Sequence, residues 1–353
     1  MTASRKRKRS PMRAPVAYSW VPIDPDYVNR VGYDPGFLDD VTVALPRPDG
    51  RTLKAEDLLP ALHYQHFSVR MHRRRNLAAF TAVNISGADR YQRTGREEDS
   101  WEVDPRAPGV QTTQPAYKAP FQRGHLVMRL DPVWGRKNIA ERAEADTFHW
   151  TNCAPQHRKL NNPWWLSVEK HVLETALVRR QRVSVFSGPV FSVQDPVLRG
   201  VRIPLAYWKV VVWRVPGLKV GLRSLGFLVR QDAEVWAAVA AAAGPAGVPQ
   251  APRPLRGFED TPTRVQGYQV PVKKIEELTG LRFGRVAGPR VDVLARQRTG
   301  GMRSLATVQS ASGARSLRRI ADLVVEYRVR SVPRRSRRAT TGSRRDDPSP
   351  PAR

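Results

Sequence analysis

Two segments decide the interpretation of this chain: FQRGHL at residues 121–126 and TNCAPQHRKLNNPWWLSVE at residues 151–169. In the first, Arg123 carries a planar fork of donors that suits a phosphate group, and His125 can exchange a proton near neutral pH. In the second, Asn161 offers a neutral amide oxygen and Glu169 a carboxylate. If the second segment is helical throughout, its spacing predicts that Asn161 and Glu169 share one face, close to two turns apart.

The charge balance favours a polyanionic partner. The chain has 60 Lys and Arg against 32 Asp and Glu, a formal net charge of +28. Such an excess favours association with nucleic acid or another anionic surface. Together with the two segments, it predicts a divalent-metal centre that acts on phosphodiester bonds.

Length and cysteine content limit the classes of protein. A chain of 353 residues that is 41% hydrophobic and has nine Trp can bury a sizeable core. The single cysteine, Cys153, excludes an intrachain disulfide framework and a multi-cysteine zinc site. His149, Cys153 and His157 have a fourth-residue spacing that would suit zinc on a helix, but the Pro and Asn residues nearby favour a loop.

Targeting signals are sparse. The most apolar run, residues 235–243, ends at Gly244 and predicts a short buried helix rather than a membrane span. The basic amino end has no apolar segment behind it, so we expect no secretory signal peptide. Localisation stays open between the cytoplasm and export by another route.

Hydrophobic patterning divides the chain into tail, body and tail. Residues 1–16 and 331–353 are basic and lack apolar periodicity, so we predict disordered arms around one domain at residues 17–330. The basic run at residues 6–9 suits a nuclear-import signal, a phosphate-binding arm or a solvated tail. Within the body, the predicted strands are 77–85, 182–187 and 207–215, and the predicted helices are 164–177, 232–243 and 272–279. This mixture predicts an α+β body.

The ordered motifs resemble a known family. RGHL at 123–126, TFHWTNCAPQ at 147–156, LNNPWW at 160–165 and VE at 168–169 resemble the DNA/RNA non-specific endonuclease family, which includes endonuclease G. The resemblance continues from YDPGFL at 33–38 to KKIEELTGLRFGR at 273–285. It implies a ββα-metal (His-Me finger) nuclease fold, with a central mainly antiparallel sheet flanked by helices.

The resemblance also implies roles for individual residues. His125 would be the general base, Arg123 a phosphate contact, Asn161 the direct protein ligand of Mg²⁺ or Mn²⁺, and Glu169 a partner of metal-bound water. A second family arginine matches Arg96 best. The implied reaction is hydrolysis of DNA and RNA to 5′-phosphate ends, with little sequence or sugar preference and no membrane partner.

Gln122 departs from the family pattern, which has Asp at this position. Gln keeps hydrogen-bonding capacity and loses the charge, so a catalytically weakened nucleic-acid-binding protein on the same fold is the alternative function. We expect Asn152 and Gln156 to organise the backbone around the site. A homodimer and a protein inhibitor are left open.

Two structural alternatives accompany these roles. Glu169 could be an exposed helical carboxylate that pairs with Lys170 or Arg179. Asn162 suits a helix N-cap, because Pro163 fits the first helical position after it.

Overall fold

The computed structural model describes residues 26–39, 41–92, 100–215, 221–244, 267–295 and 303–304. The basic tails at 1–16 and 331–353 lie outside these residues, as do both ends of the predicted domain and Arg96. The predictions made for them therefore stay predictions.

Strands outnumber helices in the described part of the chain. In chain order, the strands are β1 (Arg47–Pro48), β2 (Leu62–Tyr64), β3 (Phe67–His72), β4 (Leu77–Ser86), β5 (Phe121–His125), β6 (Cys153–His157), β7 (Arg182–Val190), β8 (Val197–Leu198), β9 (Val201–Arg202), β10 (Ala206–Arg214), β11 (Leu222–Arg230), β12 (Gly267–Val270), β13 (Leu281–Arg282) and β14 (Arg303–Ser304). The helices are α1 (Lys137–Asp146), α2 (Leu166–Val178), α3 (Asp232–Ala243) and α4 (Val272–Thr279).

One large sheet organises the molecule. Its order is β14-β12-β11-β10-β7-β4-β3-β2, and each neighbouring pair is antiparallel. The strands predicted at 77–85, 182–187 and 207–215 are β4, β7 and β10, which lie side by side with β7 in the middle. The prediction of an α+β fold with a central, mainly antiparallel sheet is confirmed.

Both faces of the sheet are covered by apolar side chains. Side chains alternate along a strand, so Trp208 and Val210 of β10 face the layer that contains residues of α3 and α4, whereas Tyr207 and Val211 face the layer that contains α2. A strand buried on both faces has almost no polar positions, which explains the nearly unbroken apolar run of β10.

The connection between β4 and β7 carries the segments with which the sequence analysis began. It contains β5, α1, β6 and α2, and its ends meet in the sheet, where Ser86 pairs with Arg182. Trp165, Val168 and Val172 are buried against the sheet. This packing fixes α2, and with it the end of the second segment, over the face that Tyr207 and Val211 line.

The segment from Asn161 to Glu169 is not one continuous helix, contrary to the premise of our spacing argument. Leu160–Trp165 forms wide helical turns, but Asn162 inside them has φ −131° and ψ 123°, and α2 begins at Leu166. The cause is Pro163, whose ring disfavours helical backbone at the preceding residue. Asn161 therefore lies before a kink, and the helical-face argument does not apply to it.

The remaining predicted helices are present with one difference in burial. α4 ends at Gly280, which adopts the left-handed backbone (φ 69°) typical of a helix C-terminus. α3 forms at its predicted place, but Val235 is its one fully buried residue, so it is not the buried helix we expected. Alanine favours the helix without needing burial. Within the described residues, no helix is long and apolar enough to cross a membrane.

Candidate active site

The antiparallel pair formed by β5 and β6 presents the RGH motif. β5 pairs antiparallel with β6, with Gln122 opposite Gln156 and His125 opposite Cys153. Because side chains alternate along a strand, Arg123 and His125 project from the same face of β5. The sequence Arg-Gly-His thus places a guanidinium group and an imidazole side by side.

Aromatic rings surround the imidazole of His125. The Trp101 ring centroid lies 4.7 Å from that of His125, and the Phe148 ring meets His125 edge-on at 5.2 Å. The guanidinium carbon of Arg123 lies 6.0 Å from the Trp101 ring centroid. Trp101 therefore contacts both motif residues. No sequence motif indicated Trp101, because it belongs to an irregular stretch far from RGH in the chain.

Asn152 fixes the backbone that follows His125. Its side chain is buried, accepts a hydrogen bond from Val127 N at 2.9 Å and donates to Val127 O at 3.0 Å. It also donates to Thr147 O at 2.9 Å, and its own carbonyl accepts from Leu126 N at 3.0 Å. These bonds hold the end of β5 against the start of β6, in keeping with the backbone role predicted for Asn152.

Gln156 packs directly on the glycine of the motif. A Cβ atom added to Gly124 would lie 2.3 Å from Cδ of Gln156, which is fully buried. Among the described residues, neither polar atom of the Gln156 side chain has a hydrogen-bond partner. The close approach explains why Gly stands between Arg123 and His125: any side chain there would displace Gln156.

Asn161 and Gln122 are in direct contact. Nδ2 of Asn161 donates a hydrogen bond to Oε1 of Gln122 at 2.9 Å. This bond uses the amide nitrogen of Asn161, so its Oδ1 remains available as an acceptor. Such an oxygen suits a hard divalent cation. Within the described residues, no group of three or more His, Cys, Asp or Glu side chains could hold a metal ion, and the donor chemistry here fits a cation held through one amide oxygen and water.

Glu169 is buried and paired with a lysine from the central sheet. It is 6% exposed, and its Oε1 lies 3.2 Å from Nζ of Lys209. Lys170 and Arg179 are both exposed, so the alternative of a surface carboxylate paired with one of them is wrong. Residues on this side of α2 pack against the sheet, which withdraws Glu169 from solvent.

Burial changes the acidity of Glu169. Loss of hydration raises its pKa to about 7, the ammonium of Lys209 opposes that rise, and the nearby carboxylate of Asp131 adds to it. Burial also raises the pKa of Asp131 to about 6, and Lys209 again opposes. Two buried carboxyl groups thus share one buried ammonium. Neither Asp131 nor Lys209 was predicted, although a lysine inside the apolar run of β10 was a usable signal.

The candidate zinc face does not form. Cys153 and His157 lie at the two ends of β6, so their spacing is that of a strand and not of a helix. His149 is buried, with Nδ1 bonded to Asp146 O at 2.9 Å and Nε2 bonded to Tyr27 OH at 2.7 Å. Burial raises the pKa of the Cys153 thiol, which disfavours the thiolate that zinc would require.

The structure links the predicted site residues through three sets of contacts. Gln122 bonds to Asn161, Trp101 contacts Arg123 and His125, and Trp165 Nε1 donates to His125 O at 3.2 Å. The last contact joins β5 to the start of α2. Trp165 is therefore a core residue at the base of the helix.

Sequence comparison relates this chain to a known protein family. The sequence model of the DNA/RNA non-specific endonuclease family matches residues 52–287. The chain is 37% identical over 276 residues to uncharacterized protein y4fB of Sinorhizobium fredii, which covers 72% of this chain and 39% of that protein. It is 29% identical over 209 residues to mitochondrial endonuclease G of Homo sapiens, which covers 55% of this chain and 57% of that protein.

A second mammalian relative and one solved structure are also similar. Mitochondrial endonuclease G of Bos taurus is 30% identical over 176 residues, covering 46% of this chain and 48% of that protein. The crystal structure of the EndoG/EndoGI complex aligns with a TM-score of 0.46 at 18% identity, covering 68% of this chain and 92% of that chain. The chain spans 39% to 57% of the length of these curated relatives. Since the family match extends over more than half of the sequence and includes β5, β6 and α2, the chain belongs to the DNA/RNA non-specific endonuclease family.

Proposed function

We propose that this protein is a divalent-metal-dependent endonuclease that hydrolyses phosphodiester bonds of DNA and RNA, with little preference for sequence or sugar. The observation that carries the proposal is the antiparallel pair β5–β6 followed by helix α2. It places Arg123 and His125 on one face of β5 and bonds Asn161 to Gln122 of the same strand.

His125 is the general base of the proposed reaction. Imidazole exchanges protons near neutral pH, and a positioned base contributes to the rate by taking a proton from the attacking water. The flanking rings of Trp101 and Phe148 limit the orientations of the imidazole. In-line attack by this water on phosphorus, opposite the 3′ oxygen, leaves a 5′-phosphate end.

Arg123 binds the phosphate that is attacked. Its guanidinium can donate two parallel hydrogen bonds to non-bridging oxygens, which aligns the phosphorus with the base next to it. Trp101 lies beside the guanidinium and restricts its movement. Arg123 thereby supports both binding and orientation.

Asn161 is the residue that would hold the metal, through Oδ1. When bound, Mg²⁺ or Mn²⁺ supplies positive charge against the phosphate oxygens and the leaving oxygen. Gln122 Oε1 accepts a hydrogen bond from Asn161 Nδ2 and so fixes the orientation of Asn161 Oδ1.

Glu169 supports the leaving-group side of the reaction. Its buried carboxyl has a pKa of about 7, so it can hold or release a proton near neutral pH. We infer that it accepts a hydrogen bond from solvent that protonates the departing 3′ oxygen. Catalysis by these groups addresses the sugar-phosphate backbone, which is why little base readout is required.

Cleavage of circular plasmid and of RNA, with Mg²⁺ or with EDTA, tests the proposal. We expect nicked and then linear plasmid, together with RNA degradation, in Mg²⁺ alone. The products should be substrates for end-labelling only after phosphatase treatment, because their 5′ ends carry phosphate. Binding without cleavage at any Mg²⁺ or Mn²⁺ concentration would favour the alternative of a nucleic-acid-binding protein, for which the neutral Gln122 is the motivating feature.

A further inference from the structure

Lys209 is a charged residue at the centre of an otherwise apolar strand. It lies midway along β10, faces the layer that contains α2, and is 1% exposed. Lysine is almost never this deeply buried unless it is paired, because an uncompensated ammonium loses its hydration. Its position therefore requires partners, and the structure provides them.

Three oxygen atoms surround the ammonium group. Nζ of Lys209 lies 2.9 Å from Leu126 O, 2.9 Å from Ser187 Oγ and 3.2 Å from Glu169 Oε1. The ammonium donates hydrogen bonds to Leu126 O and Ser187 Oγ. Its contact with Glu169 is an ion pair, because Oε1 has no hydrogen-bond partner among the described residues. The Trp165 ring centroid lies 4.3 Å away and adds a favourable cation–π contact.

These contacts connect the sheet to both parts of the site. Leu126 directly follows His125, Glu169 belongs to α2, and Ser187 belongs to β7, the neighbour of β10. One nitrogen atom on the sheet thus fixes the backbone next to the proposed base and the carboxylate of the proposed leaving-group residue. Stability alone is a weak reason for such a group, since apolar residues can often replace a buried ion pair without loss.

We propose that Lys209 is a positioning residue of the endonuclease, which aligns the Glu169 carboxylate relative to His125 and acts on the chemical step through Glu169. The inference rests on the proposed function. Lys209 itself does not contact the substrate, because it is enclosed by the sheet, Trp165 and the backbone after β5.

A double-mutant cycle between Lys209→Met and Glu169→Gln tests the inference. Single-turnover cleavage of a quenched fluorescent oligonucleotide in saturating Mg²⁺ gives the rate of the chemical step for the wild type, both single variants and the double variant. We expect each single variant to lose about 10²-fold in rate, within the range for loss of a group that assists proton transfer. The double variant should cleave within about threefold of Glu169→Gln, because Lys209 has no carboxylate left to align.

Folding is monitored by thermal melting and by DNA affinity in EDTA. The double variant lacks both buried charges of the Lys209–Glu169 pair, and the remaining buried carboxyl, Asp131, still has the nearby cation Arg90. It should therefore fold even if Lys209→Met alone does not, so its comparison with Glu169→Gln decides the matter. Arg75→Met is the matched control, because it breaks a largely buried ion pair with Asp195 (3.0 Å) outside the site. It should lower the melting temperature and leave the cleavage rate unchanged.

Two outcomes would overturn the inference. Independent, multiplicative losses in the double variant would mean that Lys209 acts on general packing, and a fully active Glu169→Gln would remove the group through which it is proposed to act. Failure of the endonuclease proposal looks different, since the wild-type protein would then show no metal-dependent cleavage at all.

Discussion

Gln122 and Asn161 form a side-chain hydrogen bond of 2.9 Å that joins β5 to the residue before the kink at Asn162. The amide nitrogen donates and the Gln122 oxygen accepts. A carboxylate at position 122 could accept the same bond and would add a negative charge beside the amide oxygen of Asn161. The substitution that separates this chain from the family pattern therefore acts on the proposed metal ligand.

Gln122→Asp should strengthen metal binding. The exposed carboxylate adds about 1 kcal/mol of attraction to a divalent cation, so the Mg²⁺ concentration for half-maximal plasmid cleavage should fall roughly fivefold. Gln122→Met, which removes the acceptor without adding charge, should raise it. Equal Mg²⁺ dependence in all three proteins would show that position 122 does not influence the metal.

His125→Ala should abolish cleavage while DNA affinity in EDTA stays near that of the wild type. Loss of a general base costs about 10²- to 10⁴-fold in rate, whereas binding depends on charge neutralisation by Lys and Arg. His63→Ala is the control, because His63 is exposed on β2, an edge strand of the sheet. Wild-type rates for His125→Ala would refute its assignment as base.

Asn161→Ala and Asn162→Ala should have different phenotypes although the residues are adjacent. Asn161→Ala should raise the Mg²⁺ requirement and lower the maximal rate. Asn162 is exposed and has extended backbone at the kink, so Asn162→Ala should leave the Mg²⁺ requirement unchanged and lower stability by at most about 1 kcal/mol. Titrations of cleavage against Mg²⁺, together with chemical denaturation, distinguish the two. A raised Mg²⁺ requirement in Asn162→Ala, with none in Asn161→Ala, would assign the metal to Asn162.

Gly124→Ala should destabilise the β5–β6 pair, because the added methyl group would lie 2.3 Å from the buried Gln156 side chain. Overpacking of this kind costs about 1–3 kcal/mol, measured as a lower midpoint in urea. Gly124→Ala combined with Gln156→Ala should recover most of that loss by making room for the methyl group. If the single variant is as stable as the wild type, the packing of Gln156 on Gly124 is not tight in solution.

Lys209→Met should move the acid limb of the cleavage rate to higher pH. Burial raises the pKa of Glu169 to about 7, Lys209 lowers it, and Asp131 raises it. Without the ammonium, the ionised carboxylate is less favoured, so the pKa of Glu169 rises further. The rate, which requires ionised Glu169, should then decline at a higher pH, whereas Arg75→Met should leave the profile in place. An unshifted acid limb would contradict the electrostatic coupling.

The features that could be predicted from the sequence are those determined by short, continuous stretches of residues. β4, β7 and β10 were identifiable because strands covered on both faces are continuously apolar. Linear motifs selected Arg123, His125, Asn161 and Glu169 as site residues, and their roles stay predictions. Asn161 and Glu169 do not lie on one continuous helix, because Pro163 imposes a kink that a count of residues does not reveal.

Contacts between segments that are distant in the chain could not be predicted from sequence motifs. Trp101 meets His125, and Lys209 meets Glu169, only because the sheet brings separate parts of the chain together. Glu169 was expected either at the metal site or on the surface. Its burial depends on which side of α2 packs on the sheet, and this is decided by the whole pattern of Trp165, Val168 and Val172 rather than by Glu169 itself.

The connection between β4 and β7 begins and ends at neighbouring positions of the sheet, which makes the β5–β6 pair and α2 a transferable unit. Its entry and exit are neighbours, since Gly87 N donates to Gln181 O at 2.8 Å immediately beyond the pair formed by Ser86 and Arg182. Residues 87–181 could therefore be exchanged with those of a relative without breaking the ladder of the sheet. The graft would still have to suit the sheet residues that reach into it. These include Lys209, Tyr207, whose hydroxyl donates to Pro155 O at 2.9 Å, and Tyr64, whose hydroxyl bonds to Asp104 and Thr151. Chimeras that transfer the connection together with these three positions should retain turnover that a transfer of the connection alone would lose.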